Sequence, residues 1–251
     1  MTKDLKILFF DLENLHRPEH IFNSGKPGRF APRPAGFCAN LAYILVFGYK
    51  WLGDKKAKHI KASKKDFKAD PLTDESFLKE VYEVISQADI VVTWYGKGHD
   101  FPFLTTRLAK YGMYLDQRIK HIDLIEVAKK SLRMSSNRMD SVAEFFGLSR
   151  KTDIDKVHWA NCWAGNYDSL QVMADYCDQD VEVLSEIYTK LLPLVPSMPR
   201  GRQVDHFGCP VCASQNVQLR GWRVNKYYKY RRVHCQGCGV WYDGERVAHK
   251  S

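Results

Sequence analysis

Residues 7–13 read Ile7-Leu8-Phe9-Phe10-Asp11-Leu12-Glu13, four apolar side chains followed by an acid, a leucine and a second acid. A run this apolar and aromatic, with no Gly or Pro, reads as a buried strand from about residue 5 to 13. Successive side chains of a strand point to opposite faces, so Leu8, Phe10 and Leu12 share one face. Asp11 and Glu13 project together from the other. Two carboxylates side by side at the end of a buried strand are costly unless cations offset them. A hard divalent ion with oxygen ligands does this directly.

Working outward, a stretch rich in Gly, Pro and Arg runs from Arg17 to Gly36 and reads as a long loop. Its Arg29 and Arg33 follow the acid-bearing strand and are placed either to touch a substrate or to form an ordinary basic surface loop. Leu41 to Trp51 and Ala57 to Ala62 read as two strands joined by a turn at Gly53-Asp54. Thr73 is placed to cap a helix from about Asp74 to Gln87. Asp89 to Trp94 is a short strand, and Asp100 to Tyr111 a helix. Ile122 to Lys130, Met139 to Phe146 and Leu170 to Leu192 are further helices, the last the longest. Strands first, then helices and strands in alternation, make an α/β core with a mixed sheet. Pro193, Pro196, Pro199 and Gly201 break the pattern. Beyond them the composition shifts to Cys, Arg, Tyr and Trp, so two domains are expected, residues 1–197 and 203–251.

A chain of 251 residues suits one catalytic-sized core plus a small module. At this length roughly 70–75% of the unfolded surface is buried, and the main core needs no disulfides. With 45% hydrophobic and 27% charged residues the composition is globular rather than disordered. No apolar run approaches the roughly 18–20 residues that span a bilayer. The N-terminal apolar run ends at Asp11 after four residues, so it does not read as a signal peptide, and a cytoplasmic protein without membrane contact is expected. Residues 200–251 hold 10 Lys/Arg against 3 Asp/Glu, and residues 26–70 hold 11 against 3. Two basic zones around an acidic body suit a protein that grips a polyanion and holds cations elsewhere.

Two further acidic elements join the first. In Thr93-Trp94-Tyr95-Gly96-Lys97-Gly98-His99-Asp100 a strand ends, two glycines turn the chain, and Asp100 heads the next helix with Pro102 in its first turn. In Tyr176-Cys177-Asp178-Gln179-Asp180, Tyr176 and Asp180 are four apart and share one helical face, while Asp175 and Asp178 point elsewhere. Helix capping by Asp100 and ordinary surface acids are the plain alternatives for each piece alone. Together, in this order, the three elements resemble the DEDD superfamily of 3′–5′ exonucleases, and the tyrosine resembles its DEDDy branch. The segment Thr93 to Leu104 is similar to the second exonuclease motif of family B polymerase proofreading domains and of stand-alone exonucleases. The resemblance spans about residues 5–192 and implies an RNase H-like fold, a mixed sheet flanked by helices. It implies Asp11, Glu13, Asp100 and Asp180 as ligands of two Mg²⁺ or Mn²⁺ ions, and Tyr176 as the residue orienting the attacking water. Two positions depart from the pattern: Tyr95 stands where many relatives carry Asn, and His99 where many carry Phe. The DEDDh variant needs a His near position 175, where this chain has Asp175. Oxygen-only ligation selects hard cations, and two of them can activate a water and stabilise the leaving oxygen.

Of seven cysteines, Cys38, Cys162 and Cys177 are isolated, and four form two CxxC pairs 22 residues apart, Cys209/Cys212 and Cys235/Cys238. Paired knuckles of this kind resemble zinc ribbons, in which the intervening segment forms a β-hairpin. Four thiolates complete a tetrahedral Zn²⁺ site with no open position, so its role is structural. A module of roughly 50 residues has little core, and the metal would hold it together. Between the knuckles, Arg220, Trp222, Arg223, Lys226, Tyr228, Lys229, Arg231 and Arg232 interleave cations with aromatics, as suits single-stranded nucleic acid. The alternative is that Trp222, Tyr228 and Tyr230 pack the hairpin and the ribbon docks a replication, repair or RNA-processing protein. Trp159 and Trp163 read as core or a packing ridge rather than a base platform, and His16, His20 and His121 as surface or packing residues.

The sequence thus leads to a metal-dependent 3′–5′ exonuclease acting on single-stranded 3′ ends, DNA favoured over RNA, with a ribbon that helps hold the nucleic acid. Its rivals are a nucleic-acid-binding protein with an inactive nuclease core and a structure-specific endonuclease on the same fold.

Overall fold

The structure, a computed structural model, describes residues 5–16, 42–67, 73–148, 154–155, 157–195 and 208–248. Arg29, Arg33, His20, Cys38, Pro196, Pro199 and Gly201 lie outside the described residues. The opening strand, β1 (Ile7–His16), continues three residues beyond the expected end at Glu13. It pairs antiparallel with β2 (Ala42–Trp51), which pairs antiparallel with β3 (Lys58–Lys61). After a one-turn α1 (Lys64–Phe67) and α2 (Glu75–Ile85), β4 (Ile90–Thr93) returns parallel to β1. Helix α3 (Asp100–Lys110) crosses to β5 (Lys120–Asp123), parallel to β4. The resulting mixed sheet has the order β3-β2-β1-β4-β5, with β1 at its centre.

The alternation in β1 divides the core as its sequence demands. Leu8, Phe10 and Leu12 pack on one face with Phe77, Leu78 and Val81 of α2 and Leu104 and Leu108 of α3. Ile7 and Phe9 face the other side, against α4 (Leu124–Ser131), α5 (Met139–Phe145) and the long α7 (Tyr167–Leu191). Each fully buried Leu, Ile, Val or Phe contributes roughly 1.5–3 kcal/mol relative to exposure, so this face-by-face sorting fixes the register of β1. A bulge between Glu13 and Asn14 leaves Leu45 of β2 unmatched and bends the acidic end of β1. Leu15, Tyr43 and Leu45 there cover Cys162 of α6 (Val157–Trp163) and Met173 of α7.

Two local readings change. The helix expected over Ile122 to Lys130 begins as strand β5, and only Leu124 onward is helical. Asp123 ends the strand and caps the helix, accepting the N–H of Ile125 at 3.3 Å. The helix starts at Glu75, so Asp74 rather than Thr73 holds the N-cap position; Thr73 Oγ1 still accepts the N–H of Glu75, and Asp74, 1% exposed, takes a different part. Its carboxylate receives Arg107 Nε and Nη2 at 2.8 and 2.6 Å and the Tyr111 hydroxyl at 3.0 Å. This buried pair clamps the start of α2 to α3; removing one partner of such a pair costs roughly 3–5 kcal/mol.

Beyond a 3-10 turn at Leu192–Leu194, the C-terminal module is a three-stranded antiparallel sheet, β6 (Val217–Val224), β7 (Tyr228–Cys235) and β8 (Trp241–Ala248). The expected hairpin is β6–β7, turned by Asn225, whose side chain accepts the N–H groups of Tyr227 and Tyr228.

Candidate active site and cysteine cluster

Asp11 and Glu13 lie on the β1 face that meets α7, and α7 presents Asp180 to them. The ligand oxygens of these three acids lie within 4.8 Å of one another, with Glu13 and Asp180 buried and Asp11 half-buried. Three carboxylates gathered this closely are a donor set for a hard divalent cation, which would offset their mutual repulsion.

Helix α7 comes this close because of Gly48, the residue of β2 paired with Asp11. A Cβ at Gly48 would stand 2.7 Å from Cys177 Sγ and 3.1 Å from its carbonyl oxygen. Cys177 fills that gap, its thiol donating to the Asp11 carbonyl at 3.5 Å and lying 3.8 Å from Asp11 Oδ2. Burial, then the charges of Asp11 and Glu13, push this thiol well up, so it is a neutral floor under the acids and not a nucleophile. An isolated cysteine such as Cys177 carries no such signal in the sequence.

Asp100 is the first residue of α3 and 7% exposed. Burial pushes its carboxyl up to about 7, with the charge of Asp123 adding to the rise and a backbone N–H opposing it. It is not one of the three acids whose oxygens lie within 4.8 Å of one another; the loop that precedes it contacts β1 at the residue after Glu13. Within that loop His99 Nε2 is 3.3 Å from Asn14 Nδ2, the residue after Glu13. Burial lowers the pKa of His99, favouring its neutral form. The loop itself is pinned by Asp123, which accepts the N–H of Tyr95 at 2.7 Å and of Lys97 at 3.0 Å. Tyr95 is held there at a φ of 65°, unusual for a residue with a Cβ. Asn14 and Asp123 do not stand out in the sequence; both are legible only once the loop is folded onto β1 and β5.

Tyr176 is half-buried one turn before Asp180 on α7. The neighbouring acids do point elsewhere: Asp178 pairs with His59 at 2.7 Å, and Asp175 accepts from Gln171 at 2.7 Å. His121 is a packing residue, 2.7 Å from the Thr93 hydroxyl and against the Phe101 ring. Trp159 packs with the cluster under α6.

The four sulfurs of Cys209, Cys212, Cys235 and Cys238 also lie within 4.8 Å of one another. Cys209 to Cys238 is 3.5 Å and Cys212 to Cys235 is 3.6 Å, far beyond a disulfide bond. A tetrahedral ion with metal–sulfur bonds near 2.3 Å needs sulfurs about 3.8 Å apart, and this set fits. The N–H of Val211 points at Cys209 Sγ and that of Gly237 at Cys235 Sγ, donors suited to thiolates. Burial raises Cys235, but the N–H groups of Cys238 and Gly237 and the adjacent thiols outweigh it and bring it to about 7.

The sheet splits six of the eight basic and aromatic candidates between two faces. Arg223, Tyr228 and Arg232 share one face with Tyr230, His234, Trp241 and Arg246. There Arg223 lies over Tyr230 at 4.3 Å, Arg246 over Tyr228 at 4.5 Å and Arg232 over Trp241 at 4.8 Å. Trp222, Lys229 and Arg231 lie on the opposite face, with Arg231 over Trp222 at 4.9 Å. Arg220 is exposed near the β6 bulge, and Lys226 sits in the hairpin turn over Tyr227. Trp241 and Arg246 escape the sequence reading, because they follow the second knuckle rather than lying between the two.

A mixed five-stranded sheet flanked by helices, with acids gathered at its centre, defines the class of RNase H-like nucleases. A family profile described as RNase_H superfamily matches residues 35–192, more than half of the chain. The chain belongs to this family. The match includes Asp100, Tyr176 and Asp180 and starts after the strand that carries Asp11 and Glu13. A DNA polymerase of Methanocaldococcus jannaschii is 24% identical over 144 residues, covering 48% of this chain and 8% of the polymerase. The chain therefore corresponds to a small part of that relative. A solved family B DNA polymerase from the hyperthermophilic archaeon Pyrobaculum calidifontis aligns with a TM-score of 0.49 and 18% identity, over 77% of this chain and 26% of the polymerase. No helix among the described residues is long and apolar enough to cross a membrane.

Proposed function

We propose that the chain is a metal-dependent 3′–5′ exonuclease that removes nucleotides from single-stranded ends, DNA in preference to RNA. The observation that carries the reading is the convergence of Asp11, Glu13 and Asp180 within 4.8 Å, across β1 and α7. The named relative, a DNA polymerase, supports DNA over RNA. In this reading Asp11, Glu13 and Asp180, joined by Asp100, would hold two Mg²⁺ or Mn²⁺ ions. Bound there, such ions supply charge neutralisation for the phosphate and acidify a water. Tyr176, on the helical face of Asp180, accepts and orients that water through its hydroxyl. The water oxygen bonds to the terminal phosphorus as the P–O3′ bond breaks. The shortened strand keeps a 3′-hydroxyl after taking up a proton, and a nucleoside 5′-monophosphate leaves.

Residues 203–251 are read as a zinc ribbon that aids substrate binding, and residues 1–197 as the nuclease domain. The fit of four sulfurs to a tetrahedral ion supports the metal. Arg223 is paired with Asp243, so Arg232 and Arg246, which lie over Trp241 and Tyr228, are the cations on this face that support single-stranded nucleic acid as its ligand, with guanidinium groups for phosphates and aromatic rings for bases.

Digestion of 3′-labelled, 5′-labelled and circular single strands with Mg²⁺ or Mn²⁺ tests this. Stepwise mononucleotide release from 3′ ends is expected, with circular DNA intact and Asp180→Ala inert but folded. Cleavage of circles, or full activity in Asp180→Ala, refutes the assignment.

A further inference from the structure

Strand β4 runs parallel to β1 with Val92 opposite Phe9, so the chain leaves β4 at the end of the sheet where Asp11 and Glu13 stand. The loop that follows is folded tightly onto that end. The carbonyl of Tyr95 accepts the N–H groups of Gly98 and His99 at 3.1 and 3.2 Å, and the carbonyl of Gly96 accepts that of Phe101 at 2.8 Å. His99 in turn reaches Asn14, the residue after Glu13. Tyr95 therefore stands one tight turn from a residue that touches the acid-bearing strand.

The side chain of Tyr95 is placed as loop packing alone does not require. It is 51% exposed, although an aromatic ring gains most where it is covered. The backbone beneath it takes a φ of 65°, a conformation that turns ordinarily give to Gly or Asn. Asp123 holds it there by accepting the Tyr95 N–H at 2.7 Å. Gly98 provides the seat. A Cβ at Gly98 would stand 2.7 Å from Tyr95 Cζ and 2.8 Å from Cε2, so any side chain there would push the ring away. The ring is thus both fixed and open to solvent. Backbone strain that the surroundings keep in place is concentrated at binding and catalytic sites.

We propose that Tyr95 is a base platform, its ring stacking on the last base of a single strand whose 3′-terminal phosphodiester lies at Asp11, Glu13 and Asp180. This rests on the nuclease reading of those acids and adds to it the contact that seats the end of the strand. Every base offers a π-face, so such a contact tolerates any sequence but requires a base to be present. Loss of one base–aromatic stack weakens binding by about 5–150-fold.

A single strand ending in 2-aminopurine, whose fluorescence is quenched by stacking, provides the test, with Ca²⁺ in place of Mg²⁺ to hold the strand uncleaved. Wild-type full chain is expected to quench the 3′-terminal probe. Tyr95→Phe keeps the ring and should quench as well. Tyr95→Asn accommodates the left-handed backbone without a ring and should not. With Mg²⁺, Tyr95→Asn is expected to raise KM about 5–150-fold for an ordinary 3′ end and to change it little for an end whose last base is missing. Equal quenching by wild type and Tyr95→Asn, or an equal rise in KM for both ends, overturns the platform and leaves the nuclease reading standing. Failure of wild type to release nucleotides with either metal, while quenching still depends on Tyr95, overturns the nuclease reading and leaves Tyr95 a base-binding residue.

Discussion

Gly48→Ala is the most direct way to disturb the acidic site without touching an acid. The new methyl would meet Cys177 Sγ at 2.7 Å, with the Cys177 carbonyl oxygen and carbon at 3.1 and 3.2 Å. Non-bonded carbon contacts are optimal near 3.5–4.0 Å, so β2 and α7 must part by about 1 Å. Overpacking of this kind costs about 1–3 kcal/mol. At about 2–4 °C per kcal/mol for a chain of this size, Tm falls by about 2–12 °C. The larger effect is on geometry, because Gly48 is paired with Asp11 and Cys177 lies three residues before Asp180. Misplacing a catalytic group by about 1 Å can cost on the order of 100-fold. Scanning calorimetry and mononucleotide release from a 3′-labelled strand measure both effects. Cys177→Ala in the same chain removes the sulfur and restores part of each loss; the carbonyl oxygen at 3.1 Å keeps the rescue incomplete. If Gly48→Ala alone retains wild-type Tm and turnover, close approach of α7 to β2 does not set the site.

Tyr176→Phe retains the ring and removes the hydroxyl, so turnover should fall roughly 10²–10⁴-fold with Mg²⁺ affinity unchanged, by analogy with general acid–base groups; wild-type turnover would make Tyr176 a packing residue. His121 is held down at about 4 from 6.5 by burial and then by the charge of Lys97, with Glu126 opposing. As pH falls the unfolded chain takes the proton first, so stability is fully present above 6.5 and declines through about 4. The loss is about 3–4 kcal/mol at about 1.4 kcal/mol per pH unit, and His121→Gln should flatten it in urea melts at about pH 4–7. On the ribbon, Arg232→Gln and Arg246→Gln should each reduce the slope of log affinity against log salt, measured by anisotropy. The reduction is about 0.7 for every single-strand phosphate that the arginine neutralises. Arg231→Gln, on the opposite face, should leave that slope in place; equal effects from both faces would mean that the Arg232 and Arg246 face is not the binding surface.

The acids are legible because two periodicities carry them: period two places Asp11 and Glu13 on one side of β1, and a four-residue step places Tyr176 with Asp180. What escapes has physical reasons. Strand β5 is four residues long, and its last residue, Asp123, doubles as a helix cap, so no alternation has room to develop. Cys177 and Gly48 act by mutual proximity across elements far apart in sequence, which no local pattern records. The ribbon is the instructive case. Prolines after Leu192 mark a break in the chain, and a break in secondary structure reads as a boundary between separate modules. Yet the end of α7 and the turn after it are apolar or aromatic at Val181, Val183, Leu184, Ile187, Tyr188, Leu191 and Leu192, all buried. That is too broad for the single stripe a surface helix buries against a sheet. A helix apolar on two sides needs two partners, and the ribbon covers the second side. The cysteine cluster therefore packs against the same helix that carries Asp180, about two turns further along it.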